Sequence, residues 1–245
     1  MRYKLTLEYD GSRFHGFQIQ DDFPTIQGEL EKALIRLTFL QIRVYGAGRT
    51  DQGVHAFGQV AHIDLDKEWE PLKLKFGLNH YLRKTKISVL NIEKVEDTFH
   101  ARFGAKEKQY LYRIINRQAP LTLDFGRAWH VGYVLDADIM HQGAQMLVGH
   151  HDFSSFRDSD CQAKSPFKTI TKASVTRQGE EIRIIFEGKS FLHHQVRNMV
   201  GTLKLLGHGM FSLKDIQTIL EAKDRKKAGP TAPPEGLYLM WIDYT

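Results

Sequence analysis

The 245-residue sequence is nearly devoid of cysteine and has no long run of apolar residues. Its one cysteine, Cys161, cannot form an internal disulfide, and no cysteine pair is present for a zinc site. No stretch approaches the ~20 apolar residues that cross a bilayer, and residues 1–4 enter a strand pattern without a signal-peptide core. We therefore expect a cytoplasmic protein with no membrane association.

Sequence motifs for metals and nucleotides are missing as well. The 12 histidines show no clear metal-ligand spacing, and the side chains of the adjacent pairs 150–151 and 193–194 are expected to diverge. The glycines of residues 46–53 fit neither a P-loop nor a dinucleotide fingerprint. The absence of His-x-Glu and Pro-Cys-x-x-Cys excludes a zinc-dependent base deaminase. We expect a protein that works without a cofactor or a metal.

What is present in quantity is positive charge. The formal net charge is +5 and the sequence pI is about 9.1, which is the electrostatic sign of a nucleic-acid partner. The apolar content of 42% and charged content of 26% are ordinary for a globular protein. The positive charge therefore indicates a nucleic-acid partner only when sequence motifs also point to one.

The most informative motif is a glycine-framed loop at residues 46–56, with the sequence GAGRTDQGVHA. Its three glycines mark a backbone that turns tightly and allows close approach. Arg49 and Asp51 are two positions apart, so in extended backbone they point to the same side. A rigid loop of this kind suits a carboxylate that performs covalent chemistry. On spacing alone, a structural turn with a surface ion pair, worth about 0–1 kcal/mol, fits nearly as well.

Hydrophobic periodicity predicts two similar halves. Residues 3–9 alternate as a half-buried strand, a helix follows Pro24 and Thr25, and the first half reads β-α-β-β-α-β. The second half repeats this logic, with a helix capped by Asp136 and strands near residues 108–115, 167–176 and 182–186. We predict an α+β fold of two ferredoxin-like (split βαβ) lobes with mainly antiparallel sheets, residues 1–105 and 106–245. The active-site cleft is expected between them.

Two further side chains and two segments are open to more than one interpretation. Arg197 borders a predicted buried helix stripe and fits either a bidentate carboxylate partner or an arginine at the edge of a core. Tyr110, on a strand among lysines, fits either base stacking or cross-strand packing. Residues 151–168 are either a mobile loop over a substrate or an uninvolved surface loop. The basic run 223–227 could contact RNA, although a solvated loop is the default interpretation.

Five separated blocks of the sequence carry a specific resemblance, which runs in order through nearly the whole chain. Residues 48–56, Gly-Arg-Thr-Asp-x-Gly-Val-His-Ala, resemble the signature of the tRNA pseudouridine synthase A (TruA) family. The other blocks that resemble this family are residues 9–12 with 16–18, 100–103 with 109–112, 191–201, and 228–233 with 236–239.

The resemblance implies an isomerase that converts uridine to pseudouridine in tRNA without a cofactor, with the pseudouridine synthase fold. It implies that Asp51 is the catalytic carboxylate and candidate nucleophile, that Arg197 is its ion-pair partner, and that Tyr110 stacks on the target uracil. Arg49 would fill the gap left by the displaced base or hold a phosphate. The implied substrate is the anticodon arm of tRNA, at positions 38, 39 and 40, and the implied assembly is a homodimer.

The main rival from another class is a non-catalytic RNA-binding protein of two RRM-like lobes. It is disfavoured because the RNP1 consensus is absent and because the Asp51 loop would then have no purpose. A hydrolase with an aspartate nucleophile remains possible on residue types alone. Whether Asp51 attacks the sugar, attacks the base or supports a glycal route stays open at this stage.

Overall fold

A computed structural model describes residues 1–245 as ten strands and five α-helices. In chain order these are β1 (Arg2–Tyr9), α1 (Ile26–Thr38), β2 (Tyr45–Gly46), β3 (His55–Asp64), α2 (Pro71–Leu82), β4 (Ile87–Val95), β5 (Glu107–Asn116), β6 (Trp129–Val131), α3 (Ala137–Gln145), β7 (Gly149–Asp152), β8 (Phe167–Gln178), β9 (Glu181–Gly188), α4 (Gln195–Gly207), α5 (Leu213–Ala222) and β10 (Leu237–Asp243). The α+β class with mainly antiparallel pairing is confirmed. None of the helices combines the length and the apolar character needed to cross a membrane.

The chain divides by packing into two compact units, of which the first contains Met1–Lys106 together with Tyr238–Thr245. Strand β1 lies between β3 and β4 and is antiparallel to both. Its alternating apolar side chains are buried, as the sequence pattern predicts, so that Leu5 lies between Ala61 and Ile92. Thr25 caps the start of helix α1, and its hydroxyl accepts a hydrogen bond from the amide of Gly28. The predicted β-α-β-β-α-β order of this unit is confirmed.

The last strand, β10, belongs to this first unit from Tyr238 onward. It pairs in parallel with the start of β3, where Tyr238 lies opposite His55. Tyr244, just beyond β10, packs against a small core around Ala101 and donates its hydroxyl to that residue's carbonyl at 2.7 Å. The two ends of the sequence therefore contribute to one sheet, whereas the sequence pattern assigned residues 106–245 to a single lobe.

The second unit contains Glu107–Leu237. Its antiparallel strands follow the order β5-β9-β8-β7, and β6 adds to β5 in parallel. Helix α3 packs on β8 and on α4, and it begins where the Asp136 carboxylate accepts the amides of Asp138 and Ile139. This cap confirms the helix start predicted from the sequence. Helix α4 starts at Gln195 and no earlier, because His194 has a left-handed backbone with φ +58°.

Candidate active site

The loop that carries Asp51 connects β2 to β3 in the first unit. It closes through a turn in which the amide of Val54 donates to the carbonyl of Asp51 at 3.2 Å, and Gly53 supplies the positive φ of +80°. Within this loop Arg49 is exposed, Thr50 is buried and Asp51 is half-buried. The carboxylate is therefore on a fixed turn at the boundary between the protein interior and the solvent.

Backbone hydrogen bonds attach this loop to the segment that follows β1. The amide of Phe17 donates to the carbonyl of Thr50 at 3.0 Å, and the amide of Gly53 donates to the carbonyl of Phe14 at 3.4 Å. These bonds lie on both sides of Asp51 in the sequence. The chain direction at the carboxylate is thus determined by main-chain contacts rather than by side chains alone.

Two glycines of the same segment allow this close approach. A Cβ at Gly11 would lie 2.0 Å from the carbonyl oxygen of Val54, and a Cβ at Gly16 would lie 2.6 Å from that of Thr50. Gly16 also has a φ of +92°, a conformation that L side chains rarely adopt. Both positions therefore require glycine if the Asp51 loop is to keep its place.

A buried polar chain supports the loop from within the unit. The Tyr9 hydroxyl lies 2.8 Å from Oγ1 of Thr50, and Nε2 of Gln59 donates to the carbonyl of Gly48 at 3.0 Å. Nε2 of Gln59 also lies 3.4 Å from the Tyr9 hydroxyl. Burial raises the pKa of Tyr9 to about 12, so its hydroxyl stays protonated. This hydroxyl holds Thr50, the residue before Asp51, in place.

His55, at the start of β3, has a structural position. Its Nδ1 accepts the amide of Gly11 at 3.1 Å, and its ring stacks on Tyr238 with centroids 4.7 Å apart. Asp10 lies 3.4 Å from the same ring nitrogen. Although burial raises the pKa of Asp10, hydrogen bonds from Lys86 and Ser12 hold it well below its usual range. His55 thus connects the Asp51 loop to β10 and to the segment after β1.

In the second unit, Tyr110 lies on β5, half-buried, with its ring edge-to-face against Phe191 at 5.2 Å. Tyr112, two residues on, is completely buried and donates its hydroxyl to the carbonyl of Pro233 at 2.7 Å. Burial raises the pKa of Tyr112 well above its ordinary value. Tyr112 is therefore a packing residue, and Tyr110 is the tyrosine of this pair that is only half-buried.

Arg197 lies in the first turn of α4 and is half-buried. The predicted buried stripe is confirmed, since its members in α4 are less than 9% exposed: Val196, Met199, Val200 and Leu203. Leu192, which precedes the helix, is buried as well. Nε of Arg197 donates to the carbonyl of Ala232 at 2.8 Å, and the amide of Ala232 donates back to the carbonyl of Arg197 at 3.1 Å. A Cβ at Gly201 would lie 1.7 Å from the carbonyl oxygen of Pro230, so a second backbone does approach the helix at the glycine.

The adjacent histidines before α4 correct one expectation. The rings of His193 and His194 do not diverge but stack, with centroids 3.9 Å apart, because His194 has a left-handed backbone. Nδ1 of His194 lies 2.6 Å from a carboxylate oxygen of Asp158, and the amide of His193 donates to Sγ of Cys161 at 3.4 Å. Asp158 and Cys161 carry no motif that could have revealed this contact from the sequence.

The segment predicted as a possible mobile loop, residues 151–168, is partly regular. Its first residues end β7, a short 3-10 turn follows at Ser154–Phe156, and Phe167 begins β8. Phe153 and Phe156 are completely buried. Only the part after this turn lacks regular structure, and it is attached to the start of α4 through Asp158.

The basic run 223–227 is also only partly solvated. Lys223, Lys226 and Lys227 are exposed, as the default interpretation predicts. Arg225 is different, because its guanidinium is turned inward and donates to Asn198 and Thr231. The sequence run gives no indication of this, since the partners of Arg225 include a residue of α4, 27 positions earlier.

The chain is similar over nearly its whole length to known tRNA pseudouridine synthases. A family model described as tRNA pseudouridine synthase matches residues 6–104 and 144–245. A protein of Afipia carboxidovorans named tRNA pseudouridine synthase A is 52% identical over 243 residues, which cover 99% of both chains. Relatives with the same name from Paramagnetospirillum magneticum and Bradyrhizobium diazoefficiens are 54% and 52% identical, over 100% and 99% of this chain and 95% and 99% of their own length.

Proposed function

This chain belongs to the tRNA pseudouridine synthase family, and we propose that it isomerises uridine in the anticodon arm of tRNA at positions 38, 39 and 40. The reaction breaks the bond between C1′ of the ribose and N1 of uracil, turns the base, and forms a bond between C1′ and C5. C5 then loses its proton, and N1 gains one. No oxidant, reductant or external group is consumed.

Asp51 is proposed as the catalytic carboxylate. An ionised carboxylate beside the ribose and base serves either as the nucleophile or as the stabiliser of a cationic sugar. The observation that carries the proposal is the rigid attachment of the Asp51 loop. Main-chain hydrogen bonds hold the loop at Thr50 and Gly53, and the backbone at Gly16 approaches it so closely that a Cβ would not fit. A group held in this way is pre-organised for reaction and needs little reorientation during it.

The remaining site residues are assigned by their chemistry. Arg197 is proposed to pair with Asp51, because a carboxylate in a partly desolvated site stays ionised only when a cation is near. Tyr110 is proposed to stack on the displaced uracil, an interaction worth about 1–3 kcal/mol per base. Its half-buried ring supports this role. Arg49, exposed on the same loop as Asp51, is proposed to replace the displaced base or to hold a phosphate.

Tritium release tests the function directly. A tRNA labelled with tritium at C5 of uridine should lose its label to water in the presence of the protein. Transcripts with cytidine at two of positions 38, 39 and 40 should each lose the label from the one uridine left in that set. Tight binding without tritium release would instead indicate an RNA-binding protein, and release of free uracil would indicate a hydrolase.

We also propose that the protein is a cytoplasmic homodimer. The location is supported by a sequence with a single cysteine, Cys161, which is buried and reduced. Dimerisation is an expectation from the family resemblance. Light scattering should give about twice the 28.3 kDa mass of the chain, and a value near that of one chain would contradict the dimer.

A further inference from the structure

Arg225 makes a set of contacts that its position in a basic run does not explain. Nη1 donates to the carbonyl of Gly229 at 2.8 Å, and Nη2 donates to Oδ1 of Asn198 at 2.9 Å and lies 3.1 Å from the Thr231 hydroxyl. All three acceptors are neutral. Burial lowers the pKa of Arg225, an effect that the nearby Asp158 opposes. A guanidinium used in this way fixes geometry rather than neutralising a charge.

These contacts join the segment 228–233, which we name the strap, to helix α4. Asn198 is completely buried, and its Oδ1 accepts both Arg225 and the Thr231 hydroxyl, the latter at 2.7 Å. The amide of Gly229 donates to Oγ1 of Thr202, one turn further along α4, at 2.9 Å. Buried polar networks of this kind hold one arrangement when every member is satisfied.

The strap in turn contacts Arg197. Ala232 exchanges two hydrogen bonds with Arg197, of which one comes from the guanidinium Nε at 2.8 Å. The direction of the remaining guanidinium nitrogens therefore depends on where Ala232 lies. Pro230 contacts α4 so closely that Gly201 has no room for a side chain. A displacement of the strap would move the arginine with it.

We propose that Arg225 is a positioning residue for Arg197 and acts through the strap. This inference rests on the proposed role of Arg197 as the partner of Asp51. Its physical basis is that a reacting geometry tolerates little displacement, since an error of about 1 Å can reduce the rate about a hundredfold. The alternative, in which Arg225 contacts RNA phosphate, is disfavoured because both of its terminal nitrogens already donate within the protein.

Steady-state tritium release separates these alternatives. Arg225→Met should lower kcat about 10- to 100-fold and change KM for tRNA less than about threefold. Arg225→Lys should be intermediate, because an ammonium reaches one acceptor but cannot form the fork. The matched control is Lys226→Met, which removes an exposed cation from the neighbouring position and should leave kcat within twofold. An unchanged kcat with a raised KM and a weaker salt dependence for Arg225→Met would overturn the proposal in favour of an RNA contact.

A double-mutant cycle tests the link between the two arginines. If Arg225 acts through Arg197, the effects of Arg225→Met and Arg197→Lys on kcat should be clearly less than multiplicative. Multiplicative effects would overturn the proposal and leave Arg225 with a general structural role. If Arg197→Lys alone keeps the wild-type kcat, the role of Arg197 is wrong and the inference fails with it. A different result refutes only the inference about Arg225: Arg197→Lys is impaired, while Arg225→Met remains active.

A milder change covers the case in which Arg225→Met does not fold. Thr231→Val removes only the hydroxyl that lies between Arg225 and Asn198. It should lower kcat about 3- to 10-fold, and it should show the same less-than-multiplicative coupling to Arg197→Lys. Wild-type kcat in a folded Thr231→Val variant, or multiplicative effects of Thr231→Val and Arg197→Lys, would overturn the proposal.

Discussion

The hydroxyl of Tyr9 lies 2.8 Å from Oγ1 of Thr50, the residue before Asp51. This contact joins the end of β1 to the loop that carries the proposed catalytic carboxylate. Both residues are buried, with exposed fractions of 2% and 6%, so water does not replace the bond when it is broken. The orientation of Asp51 therefore depends on a side chain 42 positions earlier in the sequence.

Tyr9→Phe should lower both stability and kcat. The loss of one buried hydrogen bond costs about 1 kcal/mol, and the freed loop should reduce kcat several-fold while tRNA affinity is retained. Tyr3→Phe is the matched control, because Tyr3 lies on the same strand and hydrogen-bonds through its hydroxyl to Trp69. It should cost similar stability with no change in kcat. Equal kcat for the two variants would show that the Tyr9 hydroxyl does not position the loop.

Asp51→Asn should abolish turnover while tRNA still binds. The substitution keeps the size of the side chain and removes the charge that the reaction requires. Gln52→Ala, at the exposed neighbouring position, should retain near-wild-type activity. Tritium release and a filter-binding assay measure the two properties. Residual activity of Asp51→Asn within tenfold of the wild type, equivalent to about 1.4 kcal/mol, would rule out the catalytic assignment.

Tyr110→Phe should retain much more activity than Tyr110→Leu. Phenylalanine keeps the ring that stacks on a base, whereas leucine removes it, and stacking is worth about 1–3 kcal/mol. Leucine also weakens the contact with Phe191, so thermal unfolding of both variants measures how much stability this contact contributes. If the phenylalanine variant is as inactive as the leucine variant, the hydroxyl is required and a proton-transfer role takes precedence.

His62 should make the protein less stable as the pH falls through the weakly acidic range. Burial, aided by the charges of Arg2 and His100, lowers its pKa from 6.5 to about 4. Between about pH 6.5 and about pH 4, His62 therefore binds a proton in the unfolded chain but not in the folded chain. Stability is lost as the pH falls through this range.

The expected loss is on the order of 1–2 kcal/mol, and His62→Gln should reduce it. Denaturant unfolding at a series of pH values measures the difference between the two proteins. His80→Gln, at an exposed position of α2, should keep the wild-type dependence on pH. The same pH profile in the wild type and in His62→Gln would contradict the assignment.

Elements with a local signal could be predicted from the sequence. Strand β1 follows from alternation, α3 from its Asp136 cap, and the buried stripe of α4 from its period. The Asp51 loop is recognisable in the sequence because its glycines and its motif lie within a few residues. Each of these features is decided by neighbours in the sequence.

Features that depend on distant partners could not be predicted in the same way. Arg225 turns inward because Asn198 accepts from it, and the histidine rings before α4 stack because one residue, His194, adopts a left-handed backbone. The inclusion of β10 in the first unit depends on pairing with β3. Non-local pairing leaves no periodic pattern in the sequence, so only the structure reveals it.

The membership of β10 in the first unit has a consequence for protein synthesis. The ribosome makes residues 107–237 after β4 and before the residues of β10 that belong with β1, β3 and β4. Until then, His55 and Ala56 at the start of β3 lack the strand that pairs with them. An unpaired strand edge is prone to association with other chains. The nascent first unit therefore exposes this edge of β3 until Tyr238 and Leu239 have been translated.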